Sequence, residues 1–487
     1  MAKRNILLMI ADDLGKQLGC YGNTKIQTPH LDQLAAEGTK FEQAYTSTAS
    51  CSASRSVIYT GLHTHQNGQY GLHNGRHHFT TFDHVETAPA LFSKHGYKTG
   101  LIGKVHVGPS SAYPWDLRAE SDSRDVAAVA DQASAFFESS KEDEMPFFLT
   151  IGYIDPHRDL TRSGFGNVES YDPRLKKTEY KPEDVAVEPF INDLPGVRFE
   201  FSEYYQSISR LDQGVGMVLE GLKKSGLSDD TLVIFMSDNG PPFINSKTTL
   251  YDAGVCLPLL IKCPDSPSGI ANPNMVSYID ILPTLLDWAA YPTPTHPSRI
   301  GRSILPILAE KTHLEDWSRV FGSHTFHEIT NYWPTRFMRN RQFKYHRNIA
   351  WRLDFPFAAD IYGSFTWEDI RNSESKMIGS RPLKDYFFRP AEELYDIQVD
   401  PHEVRNLAKE PEYKQVLDEM RAAVEEWQRR TEDPWLYRDG VSMLLVKHHL
   451  EAGLEVPDRF DFDENAPQSK GLPKFDSKLA WGPEVEK

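Results

Sequence analysis

Several short polar clusters in this chain stand directly behind apolar runs, and their residue types suit ion binding and proton transfer. Asp12-Asp13 follows Asn5–Ile10, Asp155-Pro156-His157 follows Phe147–Ile154, and Asp238-Asn239 follows Thr231–Met236. Lys104-Val105-His106 follows Leu101-Ile102, and Lys247 stands a few residues beyond Asn239. Carboxylates and amides are hard oxygen donors of the kind divalent Ca²⁺ or Mg²⁺ takes. A histidine gains or loses its proton near neutrality. A further segment, Cys51 to Gly61 (CSASRSVIYTG), sets Arg55 four residues after a cysteine. Singly, each cluster has a plain reading: a small buried thiol, a solvated Asp-Asp turn, a surface Lys-x-His, an Asp-Pro turn.

The elements around them read as one α/β architecture. The runs at 5–10, 147–154 and 231–236 are apolar almost throughout, the pattern of strands buried on both faces of a parallel sheet. In open α/β sheets, ligands gather at the C-terminal ends of such strands, where these polar clusters stand. Thr28-Pro29 predicts a helix start, with Leu31, Leu34 and Ala35 facing inward and Gly38 as its stop. Helices are also predicted at 88–95, 125–138, 202–224, with Ile208, Leu211, Val215 and Leu222 on one face, and 280–288. Residues 159–200 lack periodicity and read as a surface excursion near the site mouth. If Lys104 and His106 continue a strand, both project to one face. Beyond Pro306 the texture changes, and 319–323, 336–347 and 393–396 read as strands of a smaller antiparallel sheet, followed by a helix from about 411 to 430. The boundary predicted from this shift divides residues 1–315 from 316–487, with a polar surface tail after about Asp458.

The Cys51 segment resembles the sulfatase signature, Cys-x-Pro-x-Arg followed by Thr-Gly, with Ala53 where the commoner form has proline. Gly96-Tyr97-Lys98-Thr99 leading to Gly103-Lys104-Val105-His106 resembles the second signature of the same family. The resemblance implies the alkaline-phosphatase-like sulfatase fold, with a large mostly parallel sheet flanked by helices. It also implies oxidation of Cys51 by a maturation enzyme to formylglycine, whose hydrated aldehyde is the nucleophile. Asp12, Asp13, Asp238 and Asn239, with the modified residue 51, would hold Ca²⁺, or secondarily Mg²⁺. Zinc fits less well, since no histidine or cysteine clusters among these oxygen ligands. Arg55, Lys104 and Lys247 would neutralise the sulfo group. Asp238 could take a proton from the diol, His157 would protonate the leaving group, and His106 would act as base in sulfate release.

Further stretches resemble a narrower group in that family, the sulfohydrolases acting on N-sulfoglucosamine. They include His65–His73, His77-His78-Phe79, Asp155–Arg158, Arg210–Gly216, His327-Glu328 and Asp433-Pro434-Trp435. This implies removal of the N-sulfo group from a glucosamine at the non-reducing end of a heparan-type saccharide, with Asp155, His327 and Glu328 near the sugar. An O-sulfatase has the same core with other rim contacts. A phosphodiester or phosphonate hydrolase would carry more metal ligands, and a glycan-binding protein would leave Cys51 unmodified. The family also implies a homodimer.

Composition narrows the field further. With 487 residues the chain can bury a large core. A formal charge of −16 argues against a nucleic-acid surface and repels polyanionic saccharides at long range. A sulfated substrate must therefore enter a locally cationic pocket by one chain end. No apolar run reaches the roughly 20 residues of a membrane span. Besides Cys51, only Cys20, Cys256 and Cys263 remain, which is no disulfide framework, and Cys256 and Cys263 read as buried packing residues. No signal peptide precedes the first strand, leaving either a cytoplasmic protein or an exported one whose leader has been removed.

Overall fold

The structure, a computed structural model, describes residues 4–437 except 160, 162–163 and 168–170, together with residue 453. The expected tail after Asp458 lies outside the described residues. The chain divides into two compact units, up to Val424 and from Glu425 onward.

The first unit is built on a nine-stranded sheet. Its strands are β1 (Asn5–Ala11), β2 (Thr39–Tyr45), β3 (Lys98–Gly103), β4 (Leu117–Glu120), β5 (Phe147–Gly152), β6 (Thr231–Ser237), β7 (Cys256–Leu257), β8 (Leu259–Lys262) and β9 (Ile270–Ser277). The order is β4-β3-β5-β1-β6-β8-β2-β7, with β9 also paired to β2. From β4 to β6 every pairing is parallel; β8 and β7 pair antiparallel with their neighbours, and β9 runs parallel to β2.

Strand alternation explains why β1 is apolar at nearly every position. Leu7, Met9 and Ala11 enter one core with the helices Val126–Glu142 and Pro195–Lys224. Ile6, Leu8 and Ile10 enter a second core with Val57 and Ile58 of the helix Cys51–Thr60 and with Leu282 and Leu285 of Ile281–Trp288. The sheet is therefore covered on both faces, as its residue pattern requires.

β10 (Arg319–Phe326), β11 (Tyr332–Asn340) and β12 (Phe343–Asn348) form the smaller sheet. β13 (Met377–Ile378) and β14 (Arg381–Pro382) are a separate short pair, and β15 (Glu392–Asp396) closes the antiparallel order β10-β11-β12-β15. The 336–347 run is thus broken by a tight turn at Arg341-Gln342. No helix among the described residues is long and apolar enough to cross a membrane.

Three local expectations change. The long helix begins at Pro195, where its proline needs no N–H donor, and so takes in the end of the segment expected to be irregular. Thr28 caps through no side-chain bond; its hydroxyl accepts from Gly19 N–H and donates to Asp32 instead. Cys256 is half-buried, and its sulfur accepts from Lys16 Nζ at 3.0 Å.

Candidate active site

Parallel register assembles the site. Ala11 pairs with Ser237 across β1 and β6, so Asp12-Asp13 and Asp238-Asn239 leave adjacent strands side by side. Ile10 pairs with Gly152, and Gly152 with Gly103, which brings the residues after β5 and β3 to the same edge. Gly103 has φ +89°, and a Cβ there would stand 2.2 Å from Gly152 O. The strand consequently stops before Lys104, and His106 itself has φ +57°. The strand-alternation argument for Lys104 and His106 therefore fails, although both residues reach the site through the turn.

The fifth contributor is the helix Cys51–Thr60. Cys51 is its first residue and Ser50, in extended conformation, its N-cap. The Cys51 sulfur is 3.8 Å from Asp13 Oδ1, and burial pushes the thiol pKa well above its usual value. One helical turn on, fully buried Arg55 donates from Nε to Asp238 Oδ2 at 2.9 Å. Asp238 Oδ1 accepts from the Asp13 and Asn239 N–H groups at 3.1 and 2.8 Å.

Two lysines meet this acidic floor. Lys104 Nζ pairs with Asp12 Oδ2, and Lys247 Nζ reaches Asp13 Oδ2 at 2.8 Å. Burial opposes ionisation of Asp12, but the Lys104 charge, then those of His157 and Arg55, outweigh it and hold its pKa well below normal. Asp238 is pushed up to about 7, chiefly by burial and then by the charge of Asp12.

Both expected histidines are present, each with one ring nitrogen committed to a partner. His157 Nδ1 lies 2.5 Å from Arg158 O, a carbonyl that only accepts, so Nδ1 carries the proton. Its Nε2 is 3.1 Å from Lys247 Nζ and 3.6 Å from Asp13 Oδ2. His106 Nε2 lies 2.9 Å from Asn74 Oδ1, while its buried Nδ1 has no partner among the described residues. Burial, then the neighbouring Lys104 charge, holds His106 well below its usual pKa; burial, then Lys247, lowers His157.

Ligand atoms of Asp12, Asp13, Cys51 and His157 lie within 4.8 Å of one another. The expected set contained no histidine; the fold adds His157, while both Asp238 oxygens are taken up by Arg55 and backbone N–H groups. Two buried oxygens, Asp12 Oδ1 and Asn239 Oδ1, have no hydrogen-bond partner among the described residues. Asn239 instead turns its NH₂ to Asp13 Oδ1, at 2.6 Å. Buried acceptors left unpaired at a carboxylate cluster fit a cation.

The rim differs from expectation. Asp155 is buried and bound by Arg124 at 2.7 Å and bidentately by Arg210, also at 2.7 Å, so the structure does not bring it to the pocket. Two arginines neutralise its charge and tie the β5 end to the long helix. His327 packs at the start of the Cys51 helix, its Nδ1 2.9 Å from Ser50 Oγ. Glu328 is half-buried, its N–H bonded to Asn331 Oδ1, and among the described residues its carboxylate makes no hydrogen bond to the site. Asp360 was not foreseen: its Oδ2 lies 2.8 Å from Lys247 Nζ and 3.9 Å from His157 Nε2. It sits on the short helix Ala359–Tyr362, in a stretch with no periodicity or motif to mark it. Asn74 was also missed, although it lies between His65–His73 and His77-His78-Phe79, two stretches that carry the resemblance.

The family model for sulfatases matches residues 4–291, the part that carries the large sheet, the Cys51 helix and Lys247. The chain belongs to the sulfatase family. It is 38% identical over 473 residues to human N-sulphoglucosamine sulphohydrolase, covering 90% of this chain and 92% of that one. An ulvan-active sulfatase of Formosa agariphila is 30% identical over 454 residues, with 88% and 81% covered. Among solved structures, a protein in complex with its substrate D-glucosamine-2-N,6-O-disulfate superposes with a TM-score of 0.65 at 20% identity, over 89% of this chain and 99% of that one. As a sulfatase the chain is a hydrolase, and its mixed, mostly parallel sheet with a smaller antiparallel one is the fold expected from its sequence.

Proposed function

We propose that this sulfatase removes the N-sulfo group of a glucosamine at the non-reducing end of a heparan-type saccharide, releasing sulfate and an amine. The observation carrying this reading is the 38% identity to the human N-sulphoglucosamine sulphohydrolase along nearly the whole of both chains. The sheet-edge geometry agrees with it. Formylglycine at residue 51 would supply a diol nucleophile, and Ca²⁺ at Asp12, Asp13, Asp238 and Asn239 would supply Lewis-acid charge. Calcium suits the mostly oxygen donor set, with Mg²⁺ the alternative.

The chain's own groups do the rest. Arg55, Lys104 and Lys247 present positive charge where the sulfo oxygens gather negative charge in the transition state. Asp238, its Oδ2 held by Arg55 at 2.9 Å, would accept a proton from the nucleophile. His157 Nε2 faces the site, and a ring that carries a proton at both nitrogens would deliver the Nε2 proton to the departing nitrogen. His106 stays neutral, with its Nε2 proton held by Asn74, so Nδ1 is the atom free to take a proton during sulfate release.

Cys51 is 1% exposed, so its oxidation must precede closure of the fold around it, which calls for a maturation enzyme acting on the unfolded segment. On this reading residues 1–315 supply the sheet-edge machinery, and residues 316–487 supply pocket wall through His327 and Asp360. His327 and Glu328 remain the proposed sugar-side residues, and a homodimer is proposed on the family resemblance.

The test is sulfate release by the matured protein from N-sulfoglucosamine, glucosamine-6-O-sulfate and a phosphonate monoester. N-sulfoglucosamine should be turned over fastest, with release abolished by Cys51→Ala and by stripping divalent ions. Faster release from the 6-O-sulfate refutes the assignment.

A further inference from the structure

We infer that Asp360 sets the preference for a sulfamate over a sulfate ester, by accepting a hydrogen bond from the N–H that only the sulfamate carries. This inference rests on the functional reading above and deepens it. The carboxylates of the acidic floor, Asp12, Asp13 and Asp238, have completely buried side chains. Asp360 does not: its side chain is 21% exposed, yet its Oδ2 is 2.8 Å from Lys247 Nζ and 3.9 Å from His157 Nε2. It is therefore a carboxylate standing outside the sulfo-binding floor while touching two of the groups that serve it.

With His157 as proton donor to the atom bonded to sulfur on its sugar side, Asp360, 3.9 Å from His157 Nε2, would stand beside that same atom. In a sulfamate that atom is nitrogen bearing one hydrogen; in an ester it is an oxygen bearing only lone pairs. A carboxylate there accepts from the first and repels the second. Asp360 has the capacity, since among the described residues Oδ1 accepts a single bond, from Ile361 N–H at 3.0 Å, and each carboxylate oxygen can take two. Binding sites that pair a substrate N–H or O–H discriminate strongly against analogues lacking it, because the site's own polar group is then left unpaired. As the N–S bond breaks, its electron pair stays on nitrogen, and a His157 ring protonated at both nitrogens gives up its Nε2 proton to it. The same carboxylate then faces an amine, whose protonated form it also favours.

Asp360 also orients Lys247, so a loss of activity alone would not distinguish the roles. The readout is the ratio of kcat/KM for N-sulfoglucosamine to that for glucosamine-6-O-sulfate, measured in the wild type, Asp360→Asn and Asp360→Glu, with thermal melting to confirm folding. Asp360→Asn should lower the ratio roughly 10- to 100-fold, the scale of a hydrogen bond to a charged group. Asp360→Glu, which keeps the carboxylate, should restore part of it. If Asp360→Asn lowers both activities equally and leaves the ratio unchanged, the residue only positions Lys247 and the inference falls while the functional reading stands. If the wild type itself shows no preference for the sulfamate, both fall.

Discussion

Removing Arg55 should destabilise the protein as well as inactivate it, and the two losses can be separated. The Arg55 and Asp238 side chains are completely buried and joined at 2.9 Å. Truncation to alanine leaves Asp238 desolvated and without its cation, so it must either strand a buried charge or take up a proton. Breaking one side of such a buried pair costs about 3–5 kcal/mol. Asp238 Oδ1 keeps its bonds from the Asp13 and Asn239 N–H groups, which places the expectation at the lower end, about 3 kcal/mol. Urea unfolding of protein stripped of divalent ions, followed by far-UV circular dichroism, measures it. The diagnostic variant is the double substitution Arg55→Ala with Asp238→Asn, which removes the stranded charge and should recover about 1–2 kcal/mol of the loss. Arg174→Ala, at a half-exposed pair with Asp131, serves as control and should leave the midpoint unmoved. If the double variant is no more stable than Arg55→Ala alone, the penalty does not come from an uncompensated Asp238, and the charge argument for this site is wrong.

Two further outcomes follow from local structure. Burial opposes ionisation of Glu393, but the charges of Arg389, His346 and Arg381 outweigh it and hold its pKa at about 2 against an ordinary 4.5. A depressed carboxylate stabilises above its unfolded pKa and loses that contribution as pH falls through the folded one; Glu393→Gln should thus cost about 3 kcal/mol at pH 6, a gap that narrows from pH 4.5 toward 2 in urea titrations. Ala53 is the third residue of its helix, whose first internal bond runs from Ser54 N–H to Ser50 O at 2.8 Å. Proline at 53 therefore removes no helical bond, and Ala53→Pro should unfold within about 1 kcal/mol of the parent; a loss near 3 kcal/mol, the cost of a helix-interior proline, would show that the site is not a first-turn position.

The fold and the floor of the site were legible because one physical pattern encodes both. A strand buried on two faces must be apolar throughout, so the first polar residues after it mark its C-terminal end, and parallel register lines those ends up. Asp12-Asp13, Asp238-Asn239 and His157 were readable in that way without any contact information. Lys104 and His106 were found by motif while the geometric argument for them was wrong, since Gly103 ends the strand before either residue. Asp155 shows the opposite failure. Its place after β5 is the right one for a ligand, but Arg124 and Arg210, 31 and 55 residues away, claim its charge, and no local spacing reveals such partners. Asp360 lies 113 residues from Lys247 on a single-turn helix, so only the folded chain brings it to the pocket.

The charges explain why an acidic protein can receive an anion here. Asp12, Asp13 and Asp238 are matched by Lys104, Lys247 and Arg55, so the floor is near neutral by itself. In that arrangement the lysines are occupied with carboxylates, and Asp12 Oδ1 and Asn239 Oδ1 remain unpaired. Adding a divalent cation to these oxygens makes the local sum positive and relieves Lys104 and Lys247 of neutralising the floor. The Lys104 ammonium is then available to a sulfo group, and Lys247 faces it while keeping Asp360 as a partner, in a cleft where low dielectric strengthens each interaction. The overall charge of −16 acts over distances that physiological salt screens within about 8 Å, whereas these groups act in contact. Recognition of the anion is thereby tied to occupancy by the cation, which is why stripping the ion should weaken substrate binding as well as the chemical step.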